Sequence, residues 1–301
     1  MRVFVTGASG WIGSAVVAEL VEAGHEVVGL ARSDAAAETV ETLGAEVVRG
    51  ELADIDVLAR IAADCDGVVH LAFRHDVAFS GDFATAVDSD RAAIEALGTA
   101  LGDSGRPLAV ASGVAGLKPG VLATEADMGE AFAGAGGRIL NERAVLALAE
   151  RGVRSMSVRF APTVHGDGDS GFVARIVAAD RAAGTAAYIG DGRNRWPAVH
   201  RSDAARLVRL GLETAPAGSV LHAVGEQGVA TYDMASAIGH RLGLPVGSID
   251  IVQAADQFGF LAHFLALDMP VSSARTQELL GWTPTGPTLI ADLVQGSYDA
   301  A

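Results

Sequence analysis

The sequence predicts an α/β protein with a doubly wound parallel sheet and a smaller C-terminal lobe. In the first half of the chain, short runs rich in Val, Ile and Leu alternate with longer helical patterns. The short runs are almost continuously apolar, which is typical of strands buried on both faces. Because the alternation is regular, it indicates a parallel sheet covered by helices on both sides. Beyond Arg159 the rhythm changes, and shorter elements separated by glycine-rich loops indicate the second lobe.

The predicted elements follow one another in strand–helix order. The strands are predicted at Val3–Thr6, Glu26–Leu30, Glu46–Val48, Gly67–Leu71, Leu108–Ala111 and Ser155–Arg159. Each is a short run of β-branched or other apolar residues next to turn-forming residues. The helices are predicted at Ile12–Ala23, Ala35–Leu43, Ile55–Ala63, Ala84–Leu101 and Arg138–Arg151, from apolar residues spaced three and four apart.

The composition excludes several classes of protein. The 301 residues are 50% hydrophobic and carry a net charge of −15. A negative field repels phosphate backbones, so we expect no nucleic-acid partner. No run approaches the roughly 18 apolar residues of a membrane span, and the apolar start is too short for a signal peptide. We therefore expect a cytoplasmic protein without a membrane partner. A homodimer is left open as its assembly.

A glycine-rich turn joins the first predicted strand to the first predicted helix. Its sequence, TGASGWIG, places Gly7, Gly10 and Gly13 at the turn. Glycine allows a tight turn and lets a pyrophosphate approach the backbone, and the helix N-terminus favours the phosphate charge. A plain tight turn is the alternative interpretation. Because this turn follows a strand, begins a helix and opens a βαβ pattern, we expect a dinucleotide cofactor here.

Several segments together resemble the extended short-chain dehydrogenase/reductase family, also called the NAD-dependent epimerase/dehydratase family. They are Thr6–Gly13 (TGASGWIG), His70–Ala72 (HLA), Arg159–Gly166 (RFAPTVHG), Pro197–Leu207 (PAVHRSDAARL) and Glu278–Pro284 (ELLGWTP), and they cover nearly the whole chain in the family's order. The resemblance implies a Rossmann dinucleotide-binding domain at residues 1–165, to which residues 198–225 return. Residues 166–197 and 226–301 would then form a substrate lobe.

The resemblance also implies which residues contact the cofactor. These are Gly7, Ser9, Gly10, Trp11, Ile12, Gly13, Arg32, Ser33, Leu71, Ala72, Pro162 and Val164. Arg32 and Ser33 follow the second strand, where the adenosine ribose lies in such folds. An acidic residue there binds the 2′-hydroxyl of NAD, whereas arginine pairs with the 2′-phosphate of NADP. We expect NADP(H), with NAD as the alternative cofactor and an exposed arginine as the alternative for Arg32.

The family's usual catalytic residues are missing from their expected positions. The family uses a Ser or Thr after the fifth strand and a Tyr-x-x-x-Lys pair on the next helix. Ser112 follows the fifth predicted strand, but Arg138 and Glu142 stand at the tyrosine and lysine positions. An offset of one residue supplies neither tyrosine nor lysine. The resemblance is therefore to an atypical branch of the family that lacks this pair.

Other side chains would have to replace the missing pair. Arg138 is a candidate anchor for substrate or for developing negative charge, because arginine keeps its proton. Glu142 is a candidate for bonding a ribose hydroxyl or Arg138 one turn away. An exposed salt bridge is the alternative for both residues. Together with Ser112 and His165, they are the candidate catalytic residues, and no metal site is predicted.

Histidine delivers protons more readily than arginine near neutral pH. His165 stands in the loop after the sixth predicted strand, where the nicotinamide would lie, and the family usually has a tyrosine at its position. His75 follows the fourth predicted strand, and His200 precedes a predicted helix, where the family usually has a structural histidine.

An apolar segment, Asp256–Pro270 (DQFGFLAHFLALDMP), suggests the character of the substrate. It forms either part of a greasy pocket or an ordinary core helix. A pocket here indicates a mainly apolar substrate, whereas a nucleotide-sugar requires phosphate-binding cations, for which Arg193 and Arg195 are available.

The sequence thus predicts an NADP(H)-dependent oxidoreductase. It would transfer hydride to or from a carbonyl or related group on a small, mainly apolar substrate. Two alternatives stay open at this point. One is an epimerase or dehydratase of the nucleotide-sugar type, which uses its cofactor transiently. The other is a dinucleotide sensor without catalytic activity.

Overall fold

The computed structural model describes residues 1–129, 136–296 and 298, so the last residues of the expected substrate lobe lie partly outside the described residues. The strands are β1 (Arg2–Thr6), β2 (Glu26–Ala31), β3 (Glu46–Arg49), β4 (Gly67–His70), β5 (Pro107–Gly113), β6 (Arg154–Phe160), β7 (Thr163–His165), β8 (Ala186–Ile189), β9 (Arg195–His200), β10 (Ser219–Ala223), β11 (Glu226–Ala230) and β12 (Val246–Ile249).

Helices separate most of these strands. They are α1 (Trp11–Glu22), α2 (Asp34–Thr42), α3 (Ile55–Ala63), α4 (His75–Phe79), α5 (Phe83–Leu101), α6 (Gly136–Ala147), α7 (Phe172–Ala183), α8 (Arg201–Thr214), α9 (Thr231–Leu242), α10 (Ile251–Phe258), α11 (Leu261–Leu265), α12 (Ala274–Leu280) and α13 (Leu289–Gln295). A 3-10 turn at Leu148–Arg151 continues α6. Within the described ranges, no helix combines the length and the apolar character that crossing a membrane requires.

The central sheet has the strand order β10-β6-β5-β4-β1-β2-β3 in the described part of the chain. Every neighbouring pair is parallel, and Val3 of β1 aligns with Val27 of β2 on one side and with Gly67 of β4 on the other. The predicted fold class is confirmed. Because the strand order reverses at β1 and β4, a crevice opens at their carboxyl ends, where ligands bind in sheets of this type.

Helices bury both faces of this sheet. On one face, Val16 and Leu20 of α1 pack in the same apolar cluster as Leu207 of α8. On the other face, Leu58 of α3 and Leu97 of α5 lie in a second cluster with strand residues. Burial of each such side chain contributes about 1.5–3 kcal/mol, so the sheet is a rigid support for the loops at its edge.

The predicted elements of the first half agree with the structure to within about two residues at their ends, the usual uncertainty of helix and strand boundaries. One element was not predicted. Helix α4 spans only His75–Phe79. Five residues are too few to show a helical period, so periodicity gives no signal for this helix.

The second half of the chain divides between the main sheet and a smaller body. Helix α8 packs against α1, and β10 extends the main sheet beside β6. The smaller body contains the sheet β11-β9-β7 and the pair β12-β8. Its apolar core, which includes Trp196, Met234 and Phe258, lies among α7, α9, α10, α11 and α13.

Candidate functional site

A cavity of about 560 Å³ lies at the carboxyl ends of the central strands. Its lining consists of the glycine loop, the ends of β2 and β4, the segment around α4, and the start of α7. The residues are Gly7, Ser9, Gly10, Trp11, Ile12, Gly13, Leu30, Arg32, Gly50, Glu51, Leu52, Ala53, Leu71, Ala72, Phe73, Arg74, His75, Asp76, Phe79, Ala111, Ala161, Pro162, Val164, Ser170, Gly171, Phe172 and Arg175. We call this space the cleft.

The glycine loop forms one end of the cleft, and its geometry depends on the absence of side chains. Gly7 has φ = +69°, and a Cβ on Gly13 would lie 1.9 Å from the carbonyl oxygen of Gly7. A Cβ on Gly10 would lie 3.2 Å from the same oxygen. No side chain caps the N-terminus of α1 at Gly10. The glycine loop therefore fits a pyrophosphate group, which would accept hydrogen bonds from the N–H groups at the start of α1. A Cβ in the loop would block this approach.

Arg32 borders the cleft at the end of β2. Its side chain is 69% exposed, and Nη1 lies 3.4 Å from Oδ2 of Asp76, which belongs to α4. The neighbouring Ser33 caps α2 by accepting a hydrogen bond from the amide of Ala36. Arg49 pairs with the next acidic residue, Asp34, at 2.6 Å. The position after β2 thus presents an arginine held only by a long contact, which leaves it available for a phosphate.

The HLA segment supports the cleft from behind. His70 is buried and bonds Oγ1 of Thr6 through Nδ1 at 2.7 Å, while its Nε2 lies 3.2 Å from Asp90. Asn141 of α6 donates to the same carboxylate at 2.8 Å. Burial raises the pKa of Asp90, but the hydrogen bonds from His70 and Asn141 and the charge of Arg138 leave it below its usual value. This buried network joins β1, β4, α5 and α6 directly behind the cleft wall.

His75 is the histidine that the structure brings to the cleft. Its ring lies 5.1 Å from that of Phe73 and 5.5 Å from that of Phe79. Burial lowers the pKa of His75, and the charges of Arg138 and Arg175 lower it further, while Asp76 and Asp90 raise it. The imidazole is therefore mainly neutral at neutral pH and titrates below its ordinary value of 6.5.

Arg138 lies behind the cleft wall. Its guanidinium stacks 4.3 Å from the ring centre of Phe73, and Nη2 donates to the carbonyl of Ala111 at 2.9 Å. Phe73 and Ala111 line the cleft, whereas Arg138 borders a small gap on their far side. Burial lowers the pKa of Arg138. Phe73 and Ala111 thus lie between Arg138 and the cleft, and the charge of Arg138 lowers the pKa of the cleft-lining His75.

Glu142 lies in the same small gap and points away from the cleft. Its Oε1 accepts from Nε of Arg159 at 2.7 Å, and its Oε2 accepts from Nη2 at 2.8 Å. Ser157 donates to Oε1 as well. Both carboxylate oxygens are engaged by Arg159 or Ser157, and no hydrogen bond joins Glu142 to Arg138 among the described residues. Ser112 also borders this gap, one residue beyond the cleft-lining Ala111.

His165 is buried on the side of β7 that faces α13. Its Nδ1 lies 2.6 Å from Oδ2 of Asp292, and its ring meets that of His200 at 5.6 Å. Burial lowers the pKa of His165, although the carboxylate of Asp292 opposes that effect. The neighbouring Pro162 and Val164 line the cleft, but His165 does not. The structure therefore gives His165 a role in joining α13 to β7 and does not bring it to the cleft.

Aromatic rings from the smaller body form the other wall. Phe172 of α7 lines the cleft, and Phe260, in the expected apolar segment, stacks on Phe79 at 4.6 Å. Most of that segment is core, since Phe258 and Leu261 are buried. Sequence reasoning did not single out Phe73, Phe79 or Arg175. Phe73 lies in the loop between β4 and α4, Phe79 ends a helix too short to be predicted, and Arg175 lies within the ordinary helical pattern of α7.

The two arginines that the sequence offered for a nucleotide-sugar, Arg193 and Arg195, lie outside the cleft. Arg195 binds Asp268 through two hydrogen bonds of 2.8 and 2.9 Å. Arg193 is 89% exposed beside Asp191. Neither lines the cleft. The described ranges also contain no cluster of three His, Cys, Asp or Glu side chains arranged to hold a metal ion.

Comparisons with known proteins agree with this architecture. A model of the NAD dependent epimerase/dehydratase family matches residues 3–223. An uncharacterized protein of Schizosaccharomyces pombe is 46% identical, over 99% of this chain and 100% of its own length. An uncharacterized protein of Saccharomyces cerevisiae is 43% identical, over 97% of this chain and 98% of its own.

Two better-described proteins are more distant. The 2-alkyl-3-oxoalkanoate reductase of Stenotrophomonas maltophilia is 28% identical, over 73% of this chain and 67% of the reductase. The structure of a dTDP-glucose 4,6-dehydratase from Streptomyces venezuelae, solved with NAD bound, superimposes with a TM-score of 0.79. It shares 21% identity and covers 98% of this chain and 95% of its own, so it shows a common fold.

Proposed function

Because the chain belongs to the NAD dependent epimerase/dehydratase family, we propose that it is an NADP(H)-dependent oxidoreductase acting on a small, mainly apolar carbonyl compound or its alcohol. One observation carries the proposal. The glycine loop, Arg32 and an aromatic wall border a single cleft, so a dinucleotide and an apolar molecule would share one space. Since the cofactor must share about 560 Å³, the substrate is small.

Different residues of the cleft would bind different parts of the cofactor. The glycine loop and the N-terminus of α1 would bind the pyrophosphate. Arg32 would exchange its long contact with Asp76 for a charge-assisted pair with the 2′-phosphate, with Ser33 beside it. Leu71, Ala72, Pro162 and Val164 would bury the rest of the dinucleotide. When bound, the cofactor supplies or accepts hydride.

His75 is our candidate for moving the proton. It lines the cleft, titrates below 6.5, and stands where Phe73 and Phe79 exclude water from one side. In carbonyl reduction, the protonated imidazole donates to the developing alkoxide. Arg138 acts through His75, because its positive charge makes the imidazolium a stronger acid. This proposal needs no tyrosine–lysine pair, and it assigns His165 and Glu142 to the support of the fold.

Ser112 is proposed in a narrower role. It follows Ala111 on β5 and stands near Arg138, at the edge of the wall. A rotation of its side chain about Cα–Cβ would let the hydroxyl hydrogen-bond a carbonyl oxygen. Among relatives, the Stenotrophomonas protein is named as a reductase of 3-oxoalkanoates, which supports carbonyl reduction as the direction to test first.

The test is NADPH oxidation over a panel of apolar ketones, aldehydes and imines, with UDP-glucose included. We expect steady NADPH consumption with at least one apolar carbonyl compound and none with UDP-glucose. Turnover of UDP-glucose without net cofactor change would instead establish an epimerase or dehydratase. Tight NADPH binding with no consumption across the panel would establish a non-catalytic sensor. The His75→Gln variant should bind NADPH normally and lose most of the activity.

A further inference from the structure

Arg175 is a cation of the cleft whose guanidinium has no hydrogen-bond acceptor and no carboxylate partner among the described residues. It lies on α7 and lines the cleft. Arg74 also lines the cleft and likewise has no side-chain hydrogen bond or ion pair among the described residues, whereas three other arginines in or near the cleft are engaged. Arg32 contacts Asp76, Arg138 bonds the carbonyl of Ala111, and Arg201 bonds the carbonyl of Trp11. The chain has a net charge of −15, so acidic side chains are plentiful. A cation inside a cleft without an acidic partner therefore indicates a binding site for an anionic ligand.

Aromatic rings surround Arg175 and indicate that the anionic group belongs to a molecule with an apolar part. Its guanidinium carbon lies 5.7 Å from the ring centre of Phe79 and 6.0 Å from that of Phe260, close to the range of a cation–π contact. These two rings stack on each other at 4.6 Å, and Phe172 meets Phe260 edge-on at 6.2 Å. The rings orient the guanidinium and offer flat apolar faces next to it.

The charges near Arg175 favour a negative group. Arg74 lines the same part of the cleft, and the charge of Arg175 reaches His75 and lowers its pKa. Two acidic residues line the cleft. Asp76 contacts Arg32, and Glu51 lies beside Gly50 and Leu52, where the adenosine end of the cofactor would bind. This part of the cleft therefore combines the apolar rings of Phe79 and Phe172 with the positive charges of Arg74 and Arg175.

We propose that Arg175 binds a carboxylate carried by the substrate, whose flat apolar part lies against Phe79 and Phe172, which line the cleft and contact Phe260. The substrate is then an apolar oxo acid or hydroxy acid, a class that rests on the proposed carbonyl chemistry of the same cleft. Guanidinium binds carboxylate through two parallel hydrogen bonds, so Arg175 also fixes the orientation of the carbonyl relative to His75.

The experiment measures binding, so it does not depend on turnover. The probes are 3-benzoylpropionate, an aryl oxo acid, and its methyl ester, titrated by calorimetry into the protein with NADP⁺ and without it. We expect the wild-type protein to prefer the acid, and Arg175→Gln to weaken the acid by about tenfold to a hundredfold, the scale of a charge-assisted hydrogen bond. Binding of the ester should change by less than about threefold. Phe260→Ala should weaken both probes.

Arg193→Gln is the matched control, because Arg193 is 89% exposed and lies outside the cleft. It should change neither probe. NADPH affinity should be unaffected by Arg175→Gln, and a loss would assign Arg175 to the cofactor and overturn the proposal. Equal binding of acid and ester, or binding of neither, would overturn it as well. UDP-glucose binding that depends on Arg175 while the acid fails to bind would show that the anion is a diphosphate.

The outcome separates this proposal from the one on which it rests. NADPH oxidation by neutral ketones, without acid binding, would keep the oxidoreductase and remove the carboxylate site. Acid binding that depends on Arg175 in a protein that oxidises no NADPH would keep the site and remove the reaction.

Discussion

At the scale of single residues, Arg32 is the side chain on which cofactor choice depends. The only hydrogen bond or ion pair of its side chain among the described residues is the 3.4 Å approach to Asp76, and both side chains are more than half exposed. An exposed pair of this kind stabilises the protein little, so an incoming phosphate displaces it at small cost. The arginine is thus available without a change in the fold.

We predict that Arg32→Asp weakens NADPH binding by about tenfold to a hundredfold, because a charge-assisted hydrogen bond to the 2′-phosphate is lost and repulsion replaces it. NADH binding should change much less. Calorimetric titration of both cofactors checks this, with Asp76→Asn as the control that frees Arg32 and preserves NADPH affinity. Equal affinity of the wild-type protein for NADH and NADPH would refute the preference for NADP.

Arg138 provides a second test at this scale, through the pH dependence of reduction. Burial, Arg138 and Arg175 lower the pKa of His75, and Asp76 and Asp90 oppose them. If protonated His75 donates the proton, kcat/KM for reduction falls as pH rises through that pKa. Arg138→Met removes one of the lowering charges, so the midpoint should move to higher pH. The profile is measured from about pH 5 to 8.

Arg143→Met is the matched control for this shift. Arg143 lies on the same helix and bonds the carbonyl of Gly129, outside the cleft. It should leave the midpoint unchanged. If Arg138→Met leaves the midpoint in place too, Arg138 does not act through His75.

Residue roles were less predictable than residue positions. The loop at Gly7–Gly13 and the placement of Arg32 follow from chain order, because a turn after a strand and before a helix must lie at the sheet edge. The partners of Glu142 and His165 do not follow from it. Glu142 of α6 binds Arg159 of β6, and His165 binds Asp292, which is far away in sequence. Such pairs arise from packing between distant segments and leave no local pattern.

At the scale of elements, the glycines of the loop have two different functions, which are packing of the turn and space for a phosphate group. Gly13 is needed for packing, since its Cβ would meet the carbonyl oxygen of Gly7 at 1.9 Å. Gly10 is exposed, and its Cβ would keep 3.2 Å from that oxygen. Gly13 is therefore required for the folding of the turn between β1 and α1, whereas Gly10 keeps the space in front of that turn free.

We predict that Gly10→Val, whose Cβ would have a tight 3.2 Å contact, lowers the thermal unfolding midpoint less than Gly13→Val does and reduces NADPH affinity more than about tenfold. Gly13→Val should lower stability by at least about 1–3 kcal/mol, the usual cost of overpacking. Thermal scans and NADPH titrations of both variants check this. Gly247→Val, whose Cβ would have only an ordinary 3.5 Å contact, is the control. Normal cofactor affinity in folded Gly10→Val would contradict the placement of the pyrophosphate.

Helix α4 shows where prediction from sequence fails at this scale. The long helices and the buried strands carry strong periodic patterns, and they were predicted to within about two residues. Helix α4 has five residues and carries both His75 and Phe79. Its formation depends on ring contacts with Phe73 and Phe260, which come from different parts of the chain. The segment to which we assign proton transfer is thus the part of the site with the weakest local signal.

At the scale of the whole molecule, Asp180 couples global stability to pH. It is fully buried on α7, where Oδ1 accepts from the amide of Ala187 and from Gln257 at 2.7 Å, and Oδ2 has no partner among the described atoms. Burial raises its pKa from 3.8 to about 7. Between these values the folded protein binds more protons than the unfolded chain, so this group's contribution to stability decreases as pH rises.

We predict that Asp180→Asn stabilises the protein at about pH 8 and that the gain shrinks towards about pH 5, by at most roughly 1.4 kcal/mol per pH unit. The amide keeps the acceptor at Oδ1 and cannot ionise. Urea unfolding at both pH values gives the difference from wild type, which cancels the opposite contributions of the buried histidines. Asp256→Asn, exposed on α10, is the control. A gain that is independent of pH would exclude ionisation as its cause.

The stack of Phe79 on Phe260 has an evolutionary consequence. One ring belongs to the cofactor-binding half of the chain and the other to the smaller body, so the two halves meet at the substrate wall. Mutations near Phe260 alter that wall without touching the glycine loop or Arg32. Descendants of one ancestral gene can therefore keep the same cofactor and change their substrate specificity by replacing single aromatic residues.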